Sequence, residues 1–491
     1  MSIEKRKIRY NVPTRIVAVK GNIENCDILL KEKDEQIYLF EKELVRINGE
    51  GFIILDFGKE ICGGIRILSS IDQSQDYLTK IRVRFGESVS ETCAEINEKG
   101  ATNNHAQRDL ITYLPAYSDE LIGNTGFRFV RIDFLGDSKV YHPIKSILSK
   151  EVYYDLKPIK TFKSDDELLN KIYDTCVHTV TLCIQNRIWD GIKRDRLVWI
   201  GDMETEIHSI LHVYGNIEQI ETTLNTAELS NPMPCWINNI PSYSAWYLLI
   251  SYDVYSFDKN KEFIKRHKSY LDEIIKMFDK TINNKGDLDY SWSTLPIAMA
   301  YFIDWPTYKE DNEEERKDAI KLLLLYVLPR ILTMYQEIGY DYQMIEKMIN
   351  RLKLANINVP KTKAFAAFYQ LVYKDEKSYE NLIEGGAKGM STFMSYYILK
   401  AVAQKSKEKA LEMLKEYYGG MLSRGATSFW EDFDIDWLKG SSRIDEFPKE
   451  GEKDLHGDYG GYCYIGFRHS LCHGWSSGPI SFLLEDINNK A

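Results

Sequence analysis

Paired cysteines are missing from this chain of 491 residues. Its eight cysteines (26, 62, 93, 176, 183, 235, 463 and 472) stand singly, with no C-x-x-C spacing. That pattern excludes a thiolate zinc module and a disulfide framework as the basis of the fold. Long apolar runs are missing too. The longest, around Leu322 to Leu328, is far shorter than the roughly 20 residues a bilayer-crossing helix needs. The first residues, MSIEKRKIRYNV, lack the apolar stretch of a signal peptide. Positive charge is also short. Lys and Arg number 63 against 73 Asp and Glu, a net charge of −10, which disfavours a nucleic-acid backbone or an anionic membrane as partner. Read one at a time, His105, His142, His178 and His212 supply no recognised metal-ligand motif, so no metal site is expected. The expectation is a reduced, cytoplasmic protein that binds neither nucleic acid nor membrane. The oligomeric state stays open, a homodimer included.

What the chain has is two periods. Up to about residue 158, runs such as Phe52–Asp56, Gly64–Leu68, Lys80–Phe85, Tyr113-Leu-Pro and Phe127–Phe134 are apolar or alternate, with Gly, Asn and Asp between them. Short strands with turn signals predict an antiparallel β-sandwich over 1–158. Residues 155–161 read as a linker. From Ser164, apolar residues recur three and four apart behind a serine cap, and helical stretches follow over 202–214, 216–229, 242–257, 259–281, 311–337, 340–355, 359–374, 390–404, 406–418 and 470–486. A dozen short-looped helices over 159–491 fit an (α/α)6 toroid better than a four-helix bundle.

The most informative stretch is Asp190-Gly-Ile-Lys193-Arg194-Asp195-Arg196-Leu-Val-Trp199-Ile-Gly-Asp202. Three carboxylates and three cations are too dense for an apolar core, yet they sit between apolar helix patterns. Such charges are either solvated or converge on a polar ligand. The tryptophan favours a sugar: its ring can take C–H groups while the acids take hydroxyls. Asp202 stands where a helix N-cap is expected, which makes 189–201 a loop feeding a helix N-terminus.

This stretch resembles the catalytic segment of the α-L-rhamnosidases, glycoside hydrolase family 78. In that family an Asp lies nine residues before a Trp, an Arg five before, the general acid four before and a second Asp three after. Asp190, Arg194, Asp195 and Asp202 meet those spacings around Trp199. Gly425-Ala-Thr-Ser-Phe-Trp430-Glu431 is similar to the family segment that carries the general base, and Ser470-Leu-Cys-His473-Gly-Trp475 resembles the position of its sugar-binding histidine. Leu55-Asp-Phe-Gly58, Arg84-Phe-Gly-Glu87 and Gly126-Phe-Arg-Phe-Val130 look like the β-domain that precedes its toroid.

The resemblance implies an inverting glycosidase without a cofactor. Its carbohydrate substrate would be a terminal α-L-rhamnoside or a close deoxy-sugar on a small glycoside or oligosaccharide. Asp195 would be the acid and Glu431 the base; Asp190, Arg194, Trp199, Asp202, Trp305 and His473 would hold the sugar. Two departures stand out. The family acid is commonly Glu where this chain has Asp195, and the C-terminal β-domain of larger members is not expected here. Bland alternatives remain for single residues: His473 as a core histidine, Trp305 as core packing, Trp236 and Trp246 as walls. Two rivals remain for the whole. A cationic pocket of Lys193, Arg194 and Arg196 would suit an unsaturated uronide on the same toroid, and a decayed site would leave a non-catalytic sugar-binding protein.

Overall fold

The computed structural model describes residues 4–39, 41–71, 78–136 and 141–487. Seven strands come first: β1 (Lys7–Asn11), β2 (Arg15–Glu24), β3 (Val45–Ser69), β4 (Leu78–Gly86), β5 (Asp109–Pro115), β6 (Asp119–Phe134) and β7 (Tyr141–Tyr153). They form one seven-stranded sheet in the order β1-β7-β3-β6-β4-β5, with β2 also on β3. The first half of β3 and the second half of β6 pair with β2 and β4, and β4 pairs with β5. The register then shifts between Asp56 and Ile61. Beyond the shift, Gly63 to Leu68 lie opposite Glu151 to Ser146 of β7, which carries β1 on its far side. A shift of this kind bends the strand and increases its twist. Ile53, Leu55, Ile65, Ile67, Val83, Phe127 and Ile132 belong to the buried core of this domain.

The helices are α1 (Val89–Cys93), inside the β-domain, then α2 (Glu167–Cys183), α3 (Ile200–Tyr214), α4 (Glu218–Ser230), α5 (Pro241–Asp258), α6 (Lys261–Thr281) and α7 (Glu313–Ile338). They continue as α8 (Gln343–Leu352), α9 (Lys363–Tyr373), α10 (Glu376–Ile383), α11 (Ser395–Ala403), α12 (Lys407–Ser423) and the short α13 (Pro479–Phe482). Alternate helices touch in sequence, α3 with α5, α5 with α7, α7 with α9, α9 with α11, α11 with α13, and α13 returns to α3. That closed inner ring, wrapped by the helices between, is the six-hairpin toroid. Its chemistry follows: inner α5 is buried from Pro241 through Ser251, whereas outer α6 buries only one face, including Ile264, Leu271, Ile274 and Phe278. A helix apolar all round belongs inside; an amphipathic one belongs outside. Trp236 and Trp246 are fully buried against Phe278 and against Phe393 and Tyr397. They are walls. No helix among the described residues is long and apolar enough to cross a membrane.

Four expectations shift. The cap of α2 is Asp166, whose carboxylate accepts from the N–H groups of Leu168 and Leu169, not the serine at 164. α3 begins at Ile200, so Asp202 lies in its first turn and does not cap it. α10 fills residues the sequence reading left as loop. Residues 470–486 are not one helix: a 3-10 turn at Gly474–Ser477 and α13 are separate pieces. Gly474 shows why. A side chain there would meet the Glu206 carboxyl carbon at 2.1 Å, so this run is shaped to clear a buried acid, not to continue a helix.

Candidate active site

Three distant segments are knitted into one wall by backbone hydrogen bonds. The loop after α2 pairs Gly191 with His473, and the Gly474 N–H donates to the Asp190 carbonyl at 2.8 Å. The His473 N–H donates to Phe429 O at 3.0 Å, and the Glu431 N–H to Ser470 O at 2.9 Å. Each motif is therefore held by the next, which fixes side chains more firmly than a free loop could.

The β-domain clamps the same wall. Lys193 is buried, its ammonium 2.9 Å from Glu87 and 3.3 Å from Glu91. Glu87 also accepts the Leu471 N–H at 2.6 Å. Arg128 holds Asp56 at 2.8 and 2.9 Å and donates to the Gly425 carbonyl at 2.8 Å. The three β-domain motifs singled out in the sequence are thus braces for the loops of the toroid.

Asp190, Arg194, Asp195, Trp199, Asp202, Trp305, Glu431 and His473 all line one cavity of about 210 Å³ at the N-terminal ends of α3 and α5. Arg194 is its organiser. One amino group of the guanidinium lies 3.1 Å from Asp195, and the other donates to Glu431 in a very short contact. One rigid fork holds both acids, 237 positions apart between Arg194 and Glu431. Both carboxyl groups are thereby held at one cavity. Arg196, by contrast, leaves the cavity: it donates to the Asn124 carbonyl at 2.9 Å and lies 4.4 Å over the Trp189 ring. With Lys193 also tied down, the three-cation pocket that a uronide would favour does not form.

The two acids differ in setting. Glu431 is buried, and burial pushes its pKa above the ordinary value, opposed by Arg194 and by the Ser470 N–H that donates to it at 3.0 Å. Asp195 has 19% of its side chain exposed. Asp195 and Arg196 both take left-handed backbone, φ 53° and 56°, a conformation costing about 1–3 kcal/mol at such residues. The distortion falls where the chain carries the shorter acid.

Behind them, burial raises Asp190 and Asp202 well above the usual carboxylate range, with each other or Glu431 adding repulsion. Because Asp202 caps nothing, its carboxylate is free to face the cavity; Tyr243 approaches it at 3.5 Å. His473 sits 3.9 Å from Asp190, 3.9 Å from Asp202 and 3.6 Å from Glu431. Burial, then Arg194 and His469, hold its pKa well below normal, so the ring is neutral and can both donate and accept. Asp190, Asp202 and His473 also bring three donor atoms within 4.8 Å, a spacing that could hold a metal ion. Asp304, beside Trp305, is turned away onto Ser391 and Thr307. Sequence reasoning missed Tyr243, Phe302 and Tyr464 as cavity walls; lone aromatics in apolar-patterned segments give no signal of facing a cavity.

The ring of helices and the acid-lined cavity define a glycosidase of the six-hairpin class. Residues 157–342 match the family model described as the bacterial alpha-L-rhamnosidase 6 hairpin glycosidase domain. That match covers 186 of the 491 residues, all of them in the helical part of the chain. The fold is similar to a rhamnosidase from Klebsiella oxytoca with rhamnose bound, at TM-score 0.73 and 17% identity over 98% of this chain and 96% of that one. It is also similar to the family 78 rhamnosidase of Bacillus sp. GL1, at TM-score 0.67 and 19% identity over 91% of this chain but 47% of that one. The α-L-rhamnosidase of Streptomyces avermitilis in complex with L-rhamnose gives TM-score 0.64 and 14% identity over 88% and 42%. The chain thus spans nearly all of the first and about half of the other two. No curated protein matches it by sequence.

Proposed function

We propose that this protein removes terminal α-L-rhamnosyl groups, or a close deoxy-sugar, from small glycosides or oligosaccharides with inversion of configuration. The observation that carries the reading is the single Arg194 fork joining Asp195 and Glu431 at one cavity. Inversion needs one carboxyl to protonate the departing oxygen and another, across the sugar, to activate water. Asp195, on the more open side, is the acid beside the leaving group. Glu431, buried and paired with Arg194, is the base. Asp190, Asp202 and neutral His473 take hydroxyls; Trp199 and Trp305 offer aromatic surface to the apolar face of the ring.

This reading takes residues 159–491 as the catalytic unit and 1–158 as its brace. It operates without a cofactor. Turnover of 4-nitrophenyl α-L-rhamnoside, beside other nitrophenyl glycosides and unsaturated uronides, tests it. Release of L-rhamnose selectively is the expected result. Rhamnose binding without turnover would instead favour a sugar-binding protein, the reading to which the shortened acid at position 195 lends weight.

A further inference from the structure

A second cavity, of about 360 Å³, lies along α3 beyond the acid-lined one and is lined by α3, α5, α7, α11 and Glu485. From Asp202 to His208 and His212 the helix advances about 9–15 Å, so this is a separate place. His208 and His212 stand one turn apart on α3 and project to the same side. Their Nε2 atoms lie 3.1 and 2.9 Å from the same Glu485 oxygen, Oε1. Three donor atoms from two distant parts of the chain converge, all within 4.8 Å of one another.

We propose that His208, His212 and Glu485 bind one zinc ion, with the cavity supplying room for a water as fourth ligand. Two imidazoles and a carboxylate are the donor set of a three-ligand zinc site. Ligands each roughly 2.0–2.1 Å from a tetrahedral zinc stand about 3.3 Å apart, close to the two histidine–Glu485 separations of 3.1 and 2.9 Å.

The surroundings support the same assignment. The other ring nitrogen of His208, Nδ1, faces Asp253 at 3.3 Å, the carboxylate–histidine arrangement that orients metal-bound imidazoles. Both nitrogens of one ring therefore face carboxylates, a setting that either a second ring proton or an ion bound at Nε2 satisfies. The second oxygen of Glu485 is held by Lys400 at 2.8 Å and by the Tyr396 hydroxyl at 2.9 Å, leaving Oε1 for the ion. Tyr396 also approaches His208 Nε2 at 3.0 Å and shifts aside when zinc takes that lone pair.

The test is titration of the full chain, first stripped with a chelator, by zinc chloride in a calorimeter and by cobalt chloride in the visible spectrum. The expected result is one site per chain of micromolar affinity or tighter, with the visible bands of four-coordinate cobalt. H212A should lower affinity by at least a hundredfold, and D253N by about 10–100-fold. Both should leave rhamnoside turnover within twofold of the parent. Absence of zinc uptake, or uptake unchanged in H212A and in a folded H212Q control, would overturn the assignment. The cluster would then be an ion-pair network closed by a proton. Because metal uptake is read directly, failure here leaves the glycosidase reading untouched, and failure of that reading leaves this one.

Discussion

The two cavities along α3 use the same residue types to opposite ends. At the acid-lined cavity, His473 lies among three carboxylates but hydrogen-bonds none of them, and burial drives it neutral. At the second cavity, burial also opposes charge on His208, yet Glu485 and Asp253 reverse it and push its pKa up to about 10. The difference is contact geometry. Carboxylates at 3.6–3.9 Å lie beyond hydrogen-bond reach of the ring and leave it neutral, whereas carboxylates at 3.1 and 3.3 Å favour positive charge at the ring. Loops build the first cavity, and loops are where binding residues concentrate. Helices build most of the second.

The sharpest way to break this comparison is to remove acids from each end. D195N and E431Q should each cost roughly 10²–10⁴-fold in kcat on a rhamnoside with a poor leaving group, the range general acid–base catalysis supplies. An activated nitrophenyl substrate should spare D195N but not E431Q, since a good leaving group needs little protonation. E485Q, at the other end, should leave kcat unchanged. Near-normal kcat for D195N on the poor leaving group would remove Asp195 as the acid.

These assignments also mark where the sequence was legible. Asp190 to Asp202 announces itself because its charge density fits no core, and the Glu431 and His473 segments follow by resemblance. The inner ring was readable only as a count of helices, since a helix apolar on all sides has no face to read. α10 escaped because its eight residues, EKSYENLI, bury little beyond Ser378 and Leu382. Residues 470–478 misled in the other direction: their apolar content reflects burial of a loop. Glu485 lies 273 residues from His212, inside an ordinary-looking C-terminal run. The four-residue spacing of His208 and His212 was legible, but no local pattern could join Glu485 to them.

A smaller effect is expected from the aromatic wall. W199A should weaken rhamnoside binding roughly threefold to tenfold, as KM or as a product-inhibition constant. An aromatic contact adds about 0.5–1.5 kcal/mol beyond its area. A loss confined to kcat would mean Trp199 acts on the transition state alone.

The pH dependence separates the acids further. Glu431 must be ionised to act as base, and its pKa lies above the ordinary 4.5. The rate should therefore fall as pH drops, with the acid limb of kcat/KM centred above 4.5. A limb at or below that value would contradict the role. Stability has its own slope. Burial, then repulsion from Asp304 and Glu431, against the Phe433 N–H, pushes neighbouring Asp432 up to about 7. The folded protein then holds a proton that the unfolded chain releases above 3.8. This contribution to stability is full at low pH and is lost as pH rises to about 7, at no more than about 1.4 kcal/mol per unit. D432N should flatten that slope in denaturant melts between pH 4 and 7; an unchanged slope would show Asp432 ionised throughout.

The central claim is that Asp195 and Glu431 act from opposite sides of one sugar in a single displacement. Proton NMR of the anomeric signal in the first minutes of α-L-rhamnoside hydrolysis tests it most directly. The account predicts that β-L-rhamnose appears first and equilibrates later. Release of α-L-rhamnose as the first product would contradict it and would make Glu431 a nucleophile.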